Sequence, residues 1–384
     1  MQGPLVALQG GGAARWSPRN YRAFAREGMM QNAVVFRCVR LIAEAAASVP
    51  LRHAHPDSTA PSSMSDAPTL LDLMQHPAPG QTMTDLLEAW FGYLIVSGNA
   101  YAEAVTVDGH IAGLNILRPD RVRVVTDATG WVAGHDYTVG DRTVRLAGEA
   151  APGLARVLHL KLFHPDDDHY GLSPIEAAAS AIDIHNGASR WNKALLDNAA
   201  RPSGALVYSA SEQMTGEQFA RLKDELEASF QGAANAGRPL LLEGGLTWRS
   251  MSMTPRDMDF IAAKDAAARE IALALGVPPM LLGIPGDNTY ANYQEANRTF
   301  WRQTIIPLVN RMARAFSQWL APAFDGDQTL TPDLDRVEAL GLERDALWQR
   351  LDAVRFLDDD EKRAAVGYPP RPPRAPSTDP AALV

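Results

Sequence analysis

The chain has 384 residues, 46% hydrophobic and 21% charged, enough to bury the cores of two or three ordinary domains, which excludes a small stapled scaffold. Its 36 basic and 45 acidic residues leave a net charge of −9, which argues against a protein whose main task is to grip nucleic acid tightly, though not against one that guides it. Cys38 is the one cysteine, and no run of eighteen apolar residues or signal-like start occurs, so the expectation is a soluble intracellular chain in a reducing compartment, without disulfide, zinc framework or membrane association.

Residues 1–31 are Gly- and Arg-rich without periodicity and read as a mobile arm. From Asn32 onward, Val34, Val35, Cys38, Val39, Ile42 and Ala46 recur at helical spacing, and Pro50 ends that helix. Cys38 lies on the apolar stripe and reads as packing rather than as a nucleophile. A Ser/Pro/Asp loop over 55–68 precedes a second helix with Met83, Leu86, Leu87, Trp90 and Leu94 on one face, stopped near Ser97-Gly98-Asn99. Strand alternation follows at Ala100 to Val107, Val122 to Thr126, Trp131 to Val139, Thr143 to Leu146 and Val157 to Phe163. These predict an α+β domain with one small, mainly antiparallel sheet.

Ser173-Pro174-Ile175-Glu176 has the form of a capping box and opens a helix to about Asn198, crowded with small residues that permit close approach to a neighbour. Strand signals at Ala205 to Tyr208, a Thr215-to-Gln218 helix start, and strands at Leu240 to Leu242 and Leu246 to Met251 make 203–253 a compact β-α-β-β insert. Thr254-Pro255 starts another helix, stopped by Gly276 and Pro278-Pro279. The Gly- and Asn-rich LGIPGDNTYANY then reads as an exposed loop. The longest helix follows from about Tyr293 to Leu320, about 40 Å long, with a kink expected at Pro307. A short strand near Thr329, a helix from Glu343 to Val354, and an Asp358-to-Glu361 capping box complete the ordered part. The Pro-rich tail 369–384 should be disordered.

Catalytic patterns are sparse. Gly10-Gly11-Gly12 lacks the Lys-Ser/Thr continuation of a phosphate loop, and Ile175 stands where a nucleophile elbow at Ser173 would need glycine. His159 and His164 lie five apart on a strand and point to opposite faces. Asp166-Asp167-Asp168-His169 has the donors for a hard cation but also reads as a solvated turn. No catalytic residue, metal or cofactor is assigned.

The words VSGNAYAEAV at 96–105, YGLSPIEAA at 170–178, ARPSGAL at 200–206 and REIALALGVPPMLLG at 269–283, followed by NTYANYQEANRTFWRQTIIPLV, together resemble the portal proteins of tailed bacteriophages. The resemblance spans about Asn32 to Tyr368. It departs at Asn198-Ala199-Ala200, where many relatives have Asn-Gly-Ala, and in overall length, which is short for the family. It implies an α+β portal fold: a wing at 32–170, a first stem helix at 171–202, a clip at 203–253, a second stem helix at 254–282, and a tunnel loop at 283–292. A long kinked wing helix with its return strand would occupy 293–335, and a reduced helical crown 336–368.

The family further implies a ring of identical subunits, usually twelve, at one vertex of a phage, prophage or gene-transfer-agent capsid. Double-stranded DNA would pass through it without sequence specificity, driven by the large terminase subunit, and leave again on ejection. A head-to-tail adaptor and the major capsid protein are the other expected partners, and assembly is expected in the bacterial cytoplasm. The resemblance puts Asp287, Asn288, Thr289, Tyr290 and Asn292 in the DNA channel. Trp191 and Phe230 are candidate subunit contacts, with burial in the chain's own core the competing reading. Two other functions stay open: a metal-dependent α+β hydrolase using Asp166, Asp168 and His169, and a monomeric adaptor without DNA passage.

Overall fold

The computed structural model describes residues 17–54, 69–197, 204–208, 217, 221, 246–250, 260–284, 290–324, 328–366, 368 and 371. The first helix, α1 (Tyr21–Ala23), is capped by Asn20, whose side chain accepts from the Ala23 amide, and runs directly into a π-helical stretch, Phe24–Met30. Residues 17–31 therefore correct the expectation of a mobile arm. Ser17 donates its hydroxyl to Asp183 at 2.6 Å, Asn186 donates to the Glu27 carbonyl at 2.8 Å, and Phe24 is buried. The wider π turn moves apolar residues off the 3.6-residue spacing, so the helix leaves no periodic signature.

Helix α2 (Ala33–Ala47) starts at Asn32, whose side-chain oxygen accepts from the Val34 and Val35 amides. Its stripe of Val35, Cys38, Val39, Ile42 and Ala46 is fully buried, and burial pushes the Cys38 thiol up to about 12. Then come β1 (Leu51–Ala54), α3 (Leu70–Gln75) and α4 (Met83–Ser97). Thr69 with Asp72 and Thr82 with Asp85 close reciprocal capping boxes on α3 and α4, each carboxylate returning to the cap amide. Gly98, at φ 75°, ends α4 in the left-handed region.

The strand region holds β2 (Asn99–Val107), β3 (His110–Leu117), β4 (Val122–Thr126), β5 (Val132–Val139), β6 (Arg142–Ala147), β7 (Glu149–Ala151), β8 (Leu154–Ala155) and β9 (Val157–Lys161). The single sheet expected from alternation is instead two antiparallel three-stranded sheets, β3-β2-β9 and β4-β5-β6, with β7 and β8 paired separately. Tyr101, Leu117, Val122, Leu146 and Val157 form one core shared by the two larger sheets. Strand β3 escapes the sequence because Gly113 interrupts its pattern. A Cβ there would stand 2.6 Å from the Pro77 carbonyl oxygen, which accepts from the Leu114 amide at 2.7 Å.

Further along the chain lie α5 (Pro174–Ala177), α6 (Ala179–Asp197), β10 (Gly204–Tyr208), β11 (Leu246–Ser250), α7 (Phe260–Ala274) and α8 (Tyr290–Phe300). Strands β10 and β11 pair antiparallel, from Gly204 opposite Ser250 to Tyr208 opposite Leu246. After α8 the helix widens into a π turn over Trp301–Ile305 and continues as α9 (Ile306–Leu320). The Ile306 amide reaches back five residues to the Trp301 carbonyl, so the missing donor of Pro307 sits beside a π turn. Strand β12 (Thr329–Pro332) pairs antiparallel with β1, and α10 (Gly341–Ala353) and α11 (Asp359–Ala365) follow. Asp358 and Glu361 form the expected capping box.

The chain divides into two compact units, one of residues 1–36 and 177–272, the other of 37–176 and 273–384. In the second unit, Trp90 meets Phe316 edge-on at 4.9 Å between ring centroids, and Phe316 meets Trp319 at 5.9 Å. The Ser317 hydroxyl accepts from the Leu330 amide at 2.8 Å and donates to the Ala313 carbonyl at 2.7 Å, tying β12 to α9.

Candidate nucleic-acid interface

Two of the sequence words that carry the resemblance meet in space. Gly98 and Gly171 approach so closely that a Cβ on Gly98 would stand 2.4 Å from the Gly171 carbonyl oxygen. Asn99 locks the junction: its side-chain oxygen accepts from the Gly171 amide at 2.8 Å and lies 3.0 Å from His159 Nε2, while its amide donates to the Ser97 carbonyl at 2.9 Å. His159 stacks on Tyr101 at 4.2 Å, and burial together with nearby His135 and Lys161 pulls its pKa down to about 3. The junction sets where the chain enters α5. Ser173, buried, accepts from the Ile175 amide and donates to the carbonyls of Ile95 and Val96. The cap expected at Ser173 is present, with its bond to Ile175 rather than to Glu176.

Helix α6 has two unlike faces. Ala181, Ile182, His185, Asn186 and Ala188 are buried, whereas Ile184 and Trp191 are 45% and 43% exposed, and a Cβ on Gly187 would meet nothing within 4 Å. Trp191 is thus outside its own unit's core. On the buried face, Asn32 donates its amide to Asn186 at 2.9 Å and lies 3.1 Å from His185 Nδ1. Burial lowers the pKa of His185, Lys264 adds to the shift, and Asp265 opposes it. Helices α6 and α7 are therefore electrostatic neighbours. Helix α7 buries Ala267, Ala268, Ile271 and Ala272 and leaves Ile261 and Leu273 exposed. Phe230 lies outside the described residues.

The loop assigned to the channel has firmly held ends. After α7, Gly276 takes a left-handed φ of 67°, and Thr304 donates its hydroxyl to the Gly276 carbonyl at 2.6 Å. A 3-10 turn at Pro279–Leu282 follows, Gly283 is left-handed, and Ile284 is buried. Asp287, Asn288 and Thr289 lie outside the described residues. Tyr290 and Asn292 belong to the first turn of α8, with Asn292 exposed, so the helix claims the end of the predicted loop. Gln294, Glu295 and Ala296 supply helix propensity that the two asparagines obscured.

The Asp166–His169 segment folds as a turn: Asp167 accepts from the His169 and Tyr170 amides at 2.7 and 2.9 Å, and Lys161 donates to the Asp168 carbonyl. Among the described residues, no group of three His, Cys, Asp or Glu side chains is placed to hold a metal. No described helix is long and apolar enough to cross a membrane.

In chain order, helices α6 and α7 flank the paired strands β10 and β11, and the long helix of α8 and α9 follows. The phage portal protein model matches residues 33–367, and the chain belongs to that family. It is 42% identical over 341 residues to an uncharacterised protein of Rickettsia bellii, covering 88% of this chain and 87% of the relative. It is 27% identical to the probable portal protein of Streptomyces phage phiC31, covering 97% and 84%. Among solved structures, a chain in the neck of a native gene transfer agent particle, computed with C12 symmetry, is 50% identical with a TM-score of 0.70, covering 94% of this chain and 97% of that one.

Proposed function

We propose that this chain forms a closed ring at one vertex of a phage-like particle, the conduit through which double-stranded DNA enters during packaging and leaves on ejection. The observation that carries the reading is the match along 94% of the chain to a subunit of a twelve-fold symmetric particle neck. The particle is of the phage or gene-transfer-agent kind, and assembly takes place in the bacterial cytoplasm. The large terminase subunit supplies translocation energy, the adaptor docks on the clip at 203–253, and the major capsid protein surrounds the ring. The chain performs no catalytic step.

The physics of sliding supports this division of labour. Each phosphate neutralised by Lys or Arg adds a salt-dependent attraction that holds DNA in place. Asp287, Asn288, Thr289, Tyr290 and Asn292 carry neutral or acidic side chains, which touch a backbone without that attraction. Replacing Asn288 and Asn292 by lysine is expected to slow packaging, with the defect easing as salt rises. If the double variant assembles and packages at the parent's rate and salt dependence, the loop is not a channel element.

A further inference from the structure

The two larger sheets meet through three rings. Tyr101 of β2 stacks on His159 of the neighbouring strand β9, with 4.2 Å between centroids and 21° between planes. His135, on β5 of the other sheet, stands nearly perpendicular to both, 5.7 Å from Tyr101 and 5.8 Å from His159. It is 6% exposed, its Nε2 is buried without a hydrogen-bond partner, and Leu146, opposite it on β6, lies in the core that both sheets share. We propose that His135 and His159 form an acid-released latch: uncharged, they let the sheets close, and protonated, they part β4-β5-β6 from β3-β2-β9.

The hydrogen bonds decide what a proton does here. The Asn99 side-chain oxygen already accepts from the Gly171 amide, so His159 Nε2, 3.0 Å from that oxygen, is a donor and carries the hydrogen. The neutral ring thus completes the Asn99 junction, and a further proton adds charge without adding a bond to Asn99. A protonated His135 would carry N–H groups on both nitrogens, and the one at Nε2 would be a buried charged donor without an acceptor.

The surrounding charges do not offset such a cation. Burial lowers the pKa of His135, and burial, then His135, then Lys161 lower that of His159 to about 3, with no carboxylate acting on either ring. On β2, Glu103 is paired with Arg156 at 3.0 Å; on β5, Asp136 is shared by Arg123 of β4 and Arg145 of β6. Asp120, before β4, pairs with Arg118 at 2.8 Å and is followed by Arg121. Glu149 of β7 accepts from the Gly153 amide. Helix α4 brings Asp85, held in its capping box, and Glu88, and α9 brings Arg314 and Arg311, which donates to the Lys161 carbonyl. Asp167 and Tyr170 act on Tyr101, and residues 111–117 of β3 carry no charge. Two protonated rings 5.8 Å apart would also repel each other.

The chain has joints on both sides of the β4-β5-β6 sheet. It enters through the turn Pro119–Arg121 and leaves at Gly148, left-handed at φ 75° with open space where a Cβ would stand. The Val124 amide donates to the Tyr170 hydroxyl at 2.9 Å, a neutral tie that does not titrate in the acid range. Once the sheets part, both histidines regain a value of about 6.5. Below that pH the open state binds more protons than the closed one, so closure is complete above the window and weakens as pH falls through it. Opening rises by up to about a hundredfold per pH unit when both rings take up a proton, and by about tenfold when one does. The latch holds whether or not DNA passes through the ring.

Hydrogen exchange of the full-length chain from about pH 8 to about pH 4, corrected for the intrinsic pH dependence of exchange, tests this. Amides 122–147 should lose protection with the steeper slope while those of 306–320 keep theirs. His135→Leu and His135→Gln each remove one titrating ring and should reduce the slope to about tenfold per pH unit. The glutamine variant, which buries an unpaired amide, should be the more open of the two at every pH. His135→Leu/His159→Phe should abolish the slope. The proposal is overturned if amides 122–147 of the parent stay protected at about pH 4, if they lose protection together with 306–320, or if a folded His135 variant keeps the parent's slope. The parent's profile needs no variant and decides the first two outcomes alone.

Discussion

The carbonyl oxygen of Gly98 lies 2.1 Å from the point where a Cβ on Gly171 would stand. Two peptide planes 73 residues apart in the chain therefore touch only because neither residue has a side chain, and Asn99 bonds across the junction they make. Gly171→Ala must push the Gly98 and Leu162 backbones apart, and Gly98→Ala adds left-handed strain to a similar clash. Each is expected to cost about 3 kcal/mol or more in urea unfolding. Gly80→Ala is the control: its φ is also 75°, yet a Cβ there meets nothing within 4 Å, so about 1 kcal/mol is expected. Equal losses at Gly80 and Gly98 would show that strain, not contact, governs the junction.

Asn32 caps α2 with its side-chain oxygen and holds His185 and Asn186 of α6 with its side-chain nitrogen. Asn32→Ala removes a cap worth about 1 kcal/mol and leaves buried polar atoms unpaired at about 1–3 kcal/mol more. Hydrogen exchange should quicken at amides 24–36, and Asn32→Ser should recover only the share due to the cap. Unchanged exchange in the alanine variant would mean that the N-terminal segment is held by other contacts.

His159 makes the second unit acid-sensitive. With its pKa held at about 3 by burial first, then by His135 and Lys161, the folded ring stays neutral well below the usual histidine range. The unfolded chain regains a value of about 6.5 and binds the proton there. The unfolded state therefore carries more protons between about pH 6.5 and pH 3, so this contribution is complete above that window and is lost as pH falls through it. For a half-buried ring the loss is about 2 kcal/mol after solvent screening. His159→Phe keeps the stacking on Tyr101 and should flatten the stability profile below pH 6.5. A variant that loses stability as steeply as the parent would assign the acid sensitivity to another group.

Trp191 is exposed on the same side of α6 as Ile184 and the open Gly187. As a subunit contact it should behave oppositely to a core residue. Trp191→Ala is expected to leave the melting of the isolated chain within about 0.5 kcal/mol while raising the concentration needed for assembly. Lower melting with unchanged assembly would return Trp191 to the chain's own packing.

The sequence made legible those features that rest on local chemistry. The buried stripe of α2, the cap at Ser173, the Asp358 box and the β10-β11 pair all depend on neighbours a few residues away or on strand alternation. Features set by distant contacts were not legible. Strand β3 looked broken because Gly113 admits the Pro77 carbonyl, β1 acquires strand character from β12, and the helix at 21–30 is tied down by Asp183 and Asn186.

The central claim is a closed ring with a passage through it, and particle imaging of the assembled full-length chain tests it most directly. The account expects closed rotational symmetry with a central hole wide enough for a duplex, and for twelve copies of 41.6 kDa a mass of about 500 kDa. Particles in which this chain remains a single 41.6 kDa subunit, or closes into an assembly without a central passage, would contradict it.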